Sequence, residues 1–122
     1  MNSSGRQSIL VVDDEPVIVR MVVAILEDLG FGEAYTAADA ETALEVIKAR
    51  RPSIVLTDVK LPGMDGVELA RRIKSSHAKA KTPVLLMSAH GEPASHPGDA
   101  FLAKPFDIDQ FALFVRPYVN KA

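Results

Sequence analysis

The sequence predicts an α/β domain in which helices cover both faces of a five-stranded parallel sheet. Short apolar runs rich in β-branched residues alternate with segments whose apolar residues repeat at helical spacing. The runs are apolar throughout, which is typical of strands buried on both faces. The 122 residues fit one such domain. Because strands that alternate with helices pair in parallel through right-handed crossovers, we expect a doubly wound sheet.

The first predicted strand is the run at 8–12, which stops at a group of acidic residues. Pro16 suits the first turn of a helix, and apolar residues between 17 and 29 then repeat on one helical face. Gly30 supplies the helix stop. The chain therefore opens with a strand followed by a helix.

A weaker second strand is predicted at 33–36, and a second helix follows it. Thr36 and Asp39 have the spacing of a capping box at the start of this helix. Pro52 ends the helical segment. The inward stripe of the helix is predicted to contain Ala40, Ala43, Leu44 and Ile47.

The third strand is predicted at 54–57 and ends at Asp58, and a loop at 60–64 follows. Asp65 and Glu68 are placed to cap the next helix. The inward face of that helix is predicted to contain Leu69, Ala70 and Ile73.

The fourth and fifth strands are predicted at 83–87 and 100–103, the fourth ending at Ser88. Asp107 and Gln110 open the last helix. Its inward side chains are predicted to be Ile108, Phe111 and Val115.

The connection between these last two strands, 89–100, is unusual in composition. It has only twelve residues, and they include Gly91, Pro93, Pro97 and Gly98. Each of these is a poor helix-interior residue, so the segment predicts a loop or a single turn around 92–96. Pro117 is expected to kink or end the last helix.

Composition excludes several classes of protein. The chain has no cysteine, which rules out disulfides, thiolate zinc sites and cysteine nucleophiles. Its 14 basic and 16 acidic residues give a net charge of −2, which argues against direct nucleic-acid binding. Residues 1–7 form a polar tail without the apolar run of a secretory signal, and the apolar stretch at 17–26 is too short to span a bilayer. We therefore expect a cytoplasmic protein without a membrane partner, with its domain at 8–122.

Chemically useful side chains follow the inner strands of the predicted sheet. Five strands suggest the flavodoxin-like order 2-1-3-4-5, in which ligands lie beyond the carboxyl ends of the strands, between the first and third. The residues just past the strand ends are Asp13, Asp14, Asp58, Ser88 and Lys104. All five are therefore predicted to meet at one edge of the sheet.

This combination predicts a phosphoryl-transfer site. Three carboxylates in one cleft repel each other unless a cation lies among them, and oxygen ligands suit Mg²⁺. Lys104 offers a positive charge to an anion, Ser88 offers a hydroxyl, and Asp58 is the expected nucleophile. A single aspartate after a strand is commonly a helix cap, and Asp14 alone would suit that role. The coincidence at four strand ends favours the functional interpretation.

The chain resembles the receiver domain of two-component response regulators from residue 8 to about residue 120. Four segments carry the resemblance, and they are specific only in combination: ILVVDDE at 9–15, LTDVKLPGMDG at 56–66, LMSA at 86–89 and FLAKPF at 101–106. The resemblance implies that Asp58 accepts a phosphoryl group from the phosphohistidine of a histidine kinase. It also implies that Asp14 binds Mg²⁺ directly, Asp13 through water, and Lys60 through its backbone carbonyl.

The resemblance assigns the remaining site residues to a switch. Ser88 is expected to close on the phosphoryl oxygen, and Lys104 to pair with it through a side chain placed by a cis bond to Pro105. Phe101 is expected to turn inward when Ser88 moves.

The family normally carries a helix of several turns where this chain has 89–100. We therefore expect apolar surface beside Phe101 to be less covered, and a target protein or a second copy of the chain to bind there. The alternative is that the loop folds down and the last helix shifts to seal the gap. Lys60 and His90 each lie two residues past a site residue, so they are expected to overhang the phosphoryl group and tune its lifetime, or else to point to solvent.

Two alternatives have different requirements. A receiver-like adaptor would bind its partner without phosphorylation, but all five expected site residues are present. A small Mg²⁺-dependent aspartyl phosphatase of the haloacid-dehalogenase type needs Asp-x-Asp after the first strand, whereas here the two aspartates are adjacent and position 15 is Glu. The phosphoacceptor interpretation is therefore preferred.

Overall fold

The five apolar runs form one parallel sheet in the order β2-β1-β3-β4-β5, as predicted. A computed structural model describes residues 7–76 and 80–119. The strands are β1 Ser8–Val12, β2 Glu33–Ala37, β3 Ile54–Asp58, β4 Val84–Ser88 and β5 Ala100–Ala103. The helices are α1 Pro16–Asp28, α2 Ala40–Arg50, α3 Gly66–Ser75 and α4 Ile108–Val119.

The sheet separates two hydrophobic layers. Alternate residues of each strand point to opposite faces, so Leu10 packs with the α2–α3 layer while Ile9 packs with the α1–α4 layer. Both side chains are fully buried. This two-sided burial explains why the strands are apolar at successive positions, and it confirms the doubly wound architecture.

Helix capping agrees with the sequence at two of three predicted positions. Asp65 accepts a hydrogen bond from the backbone N–H of Glu68 at 2.9 Å, and Asp107 and Gln110 cap each other reciprocally at 2.8 Å. The capping box predicted from Thr36 is wrong. β2 extends through Thr36 to Ala37, so α2 is capped instead by Asp39, which accepts from the N–H of Thr42 at 2.7 Å.

The inward face of α4 agrees with the prediction only in part. Phe111 and Val115 are fully buried, whereas Ile108 is 62% exposed. Helical side chains lean toward the helix N-terminus, so the side chain of the first residue projects past the first turn into solvent. Pro117 does not end the helix, because α4 continues to Val119, and the alternative expectation of a kink stays a prediction. The carbonyl that Pro117 leaves without a helical donor belongs to the exposed residue Leu113, where water can satisfy it.

The connection between β4 and β5 is a loop without a helical turn, as its prolines and glycines predicted. The expectation of a less covered surface is wrong for β4, whose residues are all buried, and agrees with β5, whose residues are half-buried or exposed. Part of the loop folds down onto β4. A Cβ added to Gly98 would lie 2.9 Å from Cγ of Leu86, which is fully buried. Phe101 is half-buried and packs against the α2–α3 layer. Gly98 therefore lets the backbone of the loop pack directly against Leu86.

None of the helices in the described ranges is long and apolar enough to cross a membrane.

Candidate functional site

The sheet register brings the ends of its inner strands to one edge. Val12 pairs with Thr57, Asp58 with Met87, and Ser88 with Ala103. The residues just past these ends therefore meet at the carboxyl edge of the sheet.

Three aspartates lie together at this edge. Asp13 and Asp58 are buried, with 2% and 6% of their surface exposed, while Asp14 is open to solvent. One carboxylate oxygen from each of the three lies within 4.8 Å of the others. Asp13 is fixed from its other oxygen, which accepts the backbone N–H of Glu15 at 2.9 Å. The cluster therefore contains the three aspartates that the sequence predicted.

The ammonium of Lys104 lies among these carboxylates. Its Nζ is 2.8 Å from Asp13 Oδ2, 3.1 Å from Glu15 Oε1 and 3.2 Å from Asp58 Oδ2. The lysine follows β5 and has a cis bond to Pro105, as the resemblance implied. Its backbone N–H donates to the carbonyl of Ser88 at 2.9 Å. Lys104 is therefore held from both its backbone and its side chain.

The charges of Asp58 and Lys104 depend on each other. Burial raises the pKa of Asp58, the positive charge of Lys104 opposes that rise, and the negative charge of Asp13 adds to it. Burial alone would lower the pKa of Lys104, but its hydrogen bonds to Asp13 and Glu15 and the nearby negative charges raise it. Lys104 is therefore held in its protonated form beside an Asp58 carboxylate whose pKa is raised.

The backbone around Asp58 is tightly constrained. The N–H of Val59 donates to Met87 O at 2.8 Å, and the N–H of Gly66 donates to Val59 O at 2.7 Å. A Cβ at Gly66 would overlap the carbonyl oxygen of Asp58. Only glycine therefore lets the start of α3 pack this closely under the end of β3.

Ser88 is buried, with 1% of its surface exposed, at the end of β4. Its Oγ accepts the backbone N–H of His90 at 2.9 Å, which ties the first residues of the 89–99 loop to the strand end.

An open cleft of about 240 Å³ lies over the cluster. It is lined by Asp14, Glu15, Asp58, Lys60, Ala89, His90 and Lys104. Lys60 and His90 both line it and are exposed, and the nearby backbone N–H of Lys60 lowers the pKa of Asp58. The cleft has room for a phosphoryl group bounded by one buried cation and several acids.

Comparison with known proteins assigns the family. Residues 9–116 match the model of the response regulator receiver domain. The chain belongs to this family. Over 113 residues the receiver domain is 41% identical to the nitrogen assimilation regulatory protein NtrX of Azorhizobium caulinodans, covering 86% of this chain and 24% of that protein. It is 34% identical to sporulation initiation phosphotransferase F of Bacillus subtilis, covering 93% of this chain and 94% of that one.

A solved structure supports the same fold. The chemotaxis response regulator CheY4 of Vibrio cholerae aligns with a TM-score of 0.84 and 27% identity, covering 92% of this chain and 98% of that one. Several curated relatives are longer than the receiver domain described here: the chain spans 24%, 50% and 46% of three of them.

Phe101 and Glu15 complete the description of the site. Phe101 pairs with Leu86 in the sheet, two residues before the pair formed by Ser88 and Ala103, and its role as a switch stays a prediction. Glu15 was not predicted as a site residue, yet it binds Lys104. Its position directly after the aspartate pair was the available signal, because any side chain there lies at the same sheet edge.

Proposed function

We propose that this receiver domain, spanning residues 8–122 behind a polar tail, accepts a phosphoryl group on Asp58 and switches the binding of a partner protein. The donor is the phosphohistidine of a histidine kinase or of a phosphotransfer protein. The main support is the position of Asp58, a buried carboxylate that opens onto the cleft with the Lys104 ammonium 3.2 Å from its Oδ2. We place this signalling step in the cytoplasm. The domain is itself the acceptor of the phosphoryl group and does not turn over a separate substrate.

The chemistry follows from the surroundings of Asp58. Its carboxylate oxygen attacks the phosphorus, a P–O bond forms, the P–N bond breaks, and the electron pair stays on the departing imidazole. Lys104 is placed to neutralise charge on the transferred oxygens, since its ammonium already bonds the acceptor carboxylate.

The donor set around Asp58 fits Mg²⁺. The three clustered carboxylates supply hard oxygen ligands, and one buried ammonium offsets only part of their charge. Asp13, Asp14, Asp58 and the backbone carbonyl of Lys60 would hold the ion. When bound, the ion would neutralise negative charge on the phosphoryl oxygens.

The switch is proposed to start at Ser88. Turning its hydroxyl toward a phosphoryl oxygen releases the His90 N–H that it now accepts at 2.9 Å. The freed loop and the half-buried ring of Phe101 then change the surface around β5, where a downstream target or a second copy of the chain would bind.

The test uses purified protein, Mg²⁺ and acetyl phosphate as a small phosphodonor, with intact mass as the readout. The wild-type chain is expected to gain one phosphoryl group, and Asp58→Asn is expected to gain none. Asp65→Asn is the matched control, because Asp65 lies in the same loop region and caps α3, and it should still be labelled. Labelling of Asp58→Asn without metal would show that the nucleophile is a different residue.

A further inference from the structure

The ammonium of Lys104 is shared among three carboxylates in this structure. It donates hydrogen bonds to Asp13 at 2.8 Å and to Glu15 at 3.1 Å, and it forms an ion pair with Asp58 at 3.2 Å. A phosphoryl group on Asp58 would take over the side of the ammonium that faces Asp58, and it would then share the ammonium with Asp13 and Glu15.

The three carboxylates differ in how firmly they are held. The side chain of Asp13 is fully buried and that of Asp58 is 8% exposed, whereas that of Glu15 is 60% exposed. Asp13 and the backbone bond from Lys104 to Ser88 hold the lysine in place without help from Glu15. Glu15 is therefore the contact that can be released with the least rearrangement.

Glu15 also places a negative charge on the wall of the cleft. It lines the same space as Asp58 and Lys104, where an anionic phosphodonor must enter. A carboxylate here repels the anionic donor. It also binds the Lys104 ammonium, which the phosphoryl group of the donor needs as a partner.

We propose that Glu15 is a positioning residue that acts through Lys104: it competes with the phosphoryl group for the ammonium and slows phosphorylation of Asp58. This role rests on the proposed function of Asp58. Phosphorylation is then fastest when Glu15 has swung away from Lys104 into solvent.

The first test measures the contact itself, independently of phosphorylation. The Lys104 ammonium is observed by ¹⁵N NMR on the lysine side chains and assigned by the loss of its signal in Lys104→Arg. Glu15→Gln is expected to shift this signal and speed its hydrogen exchange, because a charged acceptor is replaced by a neutral one. An unchanged signal would show that Glu15 does not hold Lys104 in solution and would overturn the proposal.

The second test measures the rate of labelling by acetyl phosphate at saturating Mg²⁺. Glu15→Gln is expected to raise the second-order rate constant by roughly two- to fivefold, the range that corresponds to loss of one exposed charge interaction. Glu45→Gln is the control, because it removes the same charge from an exposed position of α2 and should leave the rate unchanged.

The outcomes separate this role from the proposed function. An unchanged or slower rate in Glu15→Gln, with wild-type protein labelled normally, overturns the role of Glu15 alone. Weaker Mg²⁺ binding by Glu15→Gln in a calorimetric titration would make Glu15 part of the metal site and would also overturn it. Failure to label the wild-type chain would overturn the proposed function, and the role of Glu15 with it.

Discussion

At the scale of single residues, the position of Asp58 depends on Gly66. The first residue of α3 packs against the backbone of Asp58 so closely that a Cβ would overlap the Asp58 carbonyl and lie 3.0 Å from Cα of Val59. Both of these contacts are with backbone atoms, which cannot move away by a change of rotamer as a side-chain atom can. Any relief must move the end of β3 and, with it, the acceptor carboxylate.

Gly66→Ala is therefore expected to lower the free energy of unfolding by about 1–3 kcal/mol, the usual cost of overpacking, and also to slow labelling of Asp58. Urea unfolding and the acetyl phosphate assay measure the two effects. Gly30→Ala is the comparison, because Gly30 has a φ of +82° but open space around its Cβ position. It should lose stability through backbone strain and keep the labelling rate. Normal stability and labelling in Gly66→Ala would contradict the packing argument.

Lys60 and His90 line the cleft from its two rims, and both are exposed. A cation at the rim can shield the acyl phosphate from attacking water or pair with its oxygens. Lys60→Ala is therefore expected to speed loss of the phosphoryl group, by roughly two- to fivefold for one exposed charge. Lys48→Ala, which removes an exposed cation from α2, is the control in the same decay measurement. A decay rate equal to that of the wild type would leave Lys60 without this role.

At the scale of elements, α2 begins with a charged cap. The carboxylate of Asp39 accepts the backbone N–H of Thr42 at 2.7 Å, and this hydrogen bond lowers the pKa of Asp39. Because the folded-state pKa lies below the unfolded one, the stabilisation is present above the unfolded pKa and is lost as the pH falls through the folded value.

An NMR titration of the aspartate side-chain carboxyl carbons is expected to place the midpoint of Asp39 below its midpoint in the urea-unfolded chain. Asp39→Asn keeps a capping side chain without the charge, so its stability relative to the wild type should improve as the pH falls through this range. Equal midpoints in the folded and unfolded chains would contradict the capping argument.

The elements also show what sequence patterns can and cannot predict. Strand and helix positions were predictable because apolar residues repeat with a different period in each kind of element. The loop at 89–99 was predictable because proline and glycine disfavour a helix locally. The outward side chain of Ile108 and the contact of Gly98 with Leu86 were not predictable, because both depend on what lies beneath the element.

The same distinction holds for the candidate site. Asp13, Asp58 and Lys104 could be placed together because parallel strands end at one edge of the sheet. Glu15 was missed because its role depends on where the flexible side chain of Lys104 ends, and no sequence period determines that.

At the scale of the whole molecule, charge is unevenly distributed. The chain as a whole has a net charge of only −2, yet Asp13, Asp14, Glu15 and Asp58 lie together at one edge of the sheet, with the buried ammonium of Lys104 among them. Folding brings these carboxylates together, whereas the unfolded chain keeps Asp58 and Lys104 far from the others. The folded state therefore bears an electrostatic cost that a bound cation would relieve.

Mg²⁺ is therefore expected to raise the Tm of the unphosphorylated chain, because the site is assembled only in the folded state. At a free Mg²⁺ concentration roughly ten times the dissociation constant, the stabilisation is about 1.4 kcal/mol. For a domain of this size that corresponds to a rise of about 3–6 °C.

NaCl at matched ionic strength is the control, since it screens the carboxylates without binding them specifically. Asp14→Asn should lose most of the Mg²⁺-dependent rise while remaining folded, because Asp14 is exposed and contributes little to packing. If the rise with Mg²⁺ equalled that with NaCl, or persisted in Asp14→Asn, the acidic cluster would not be the site that binds the ion.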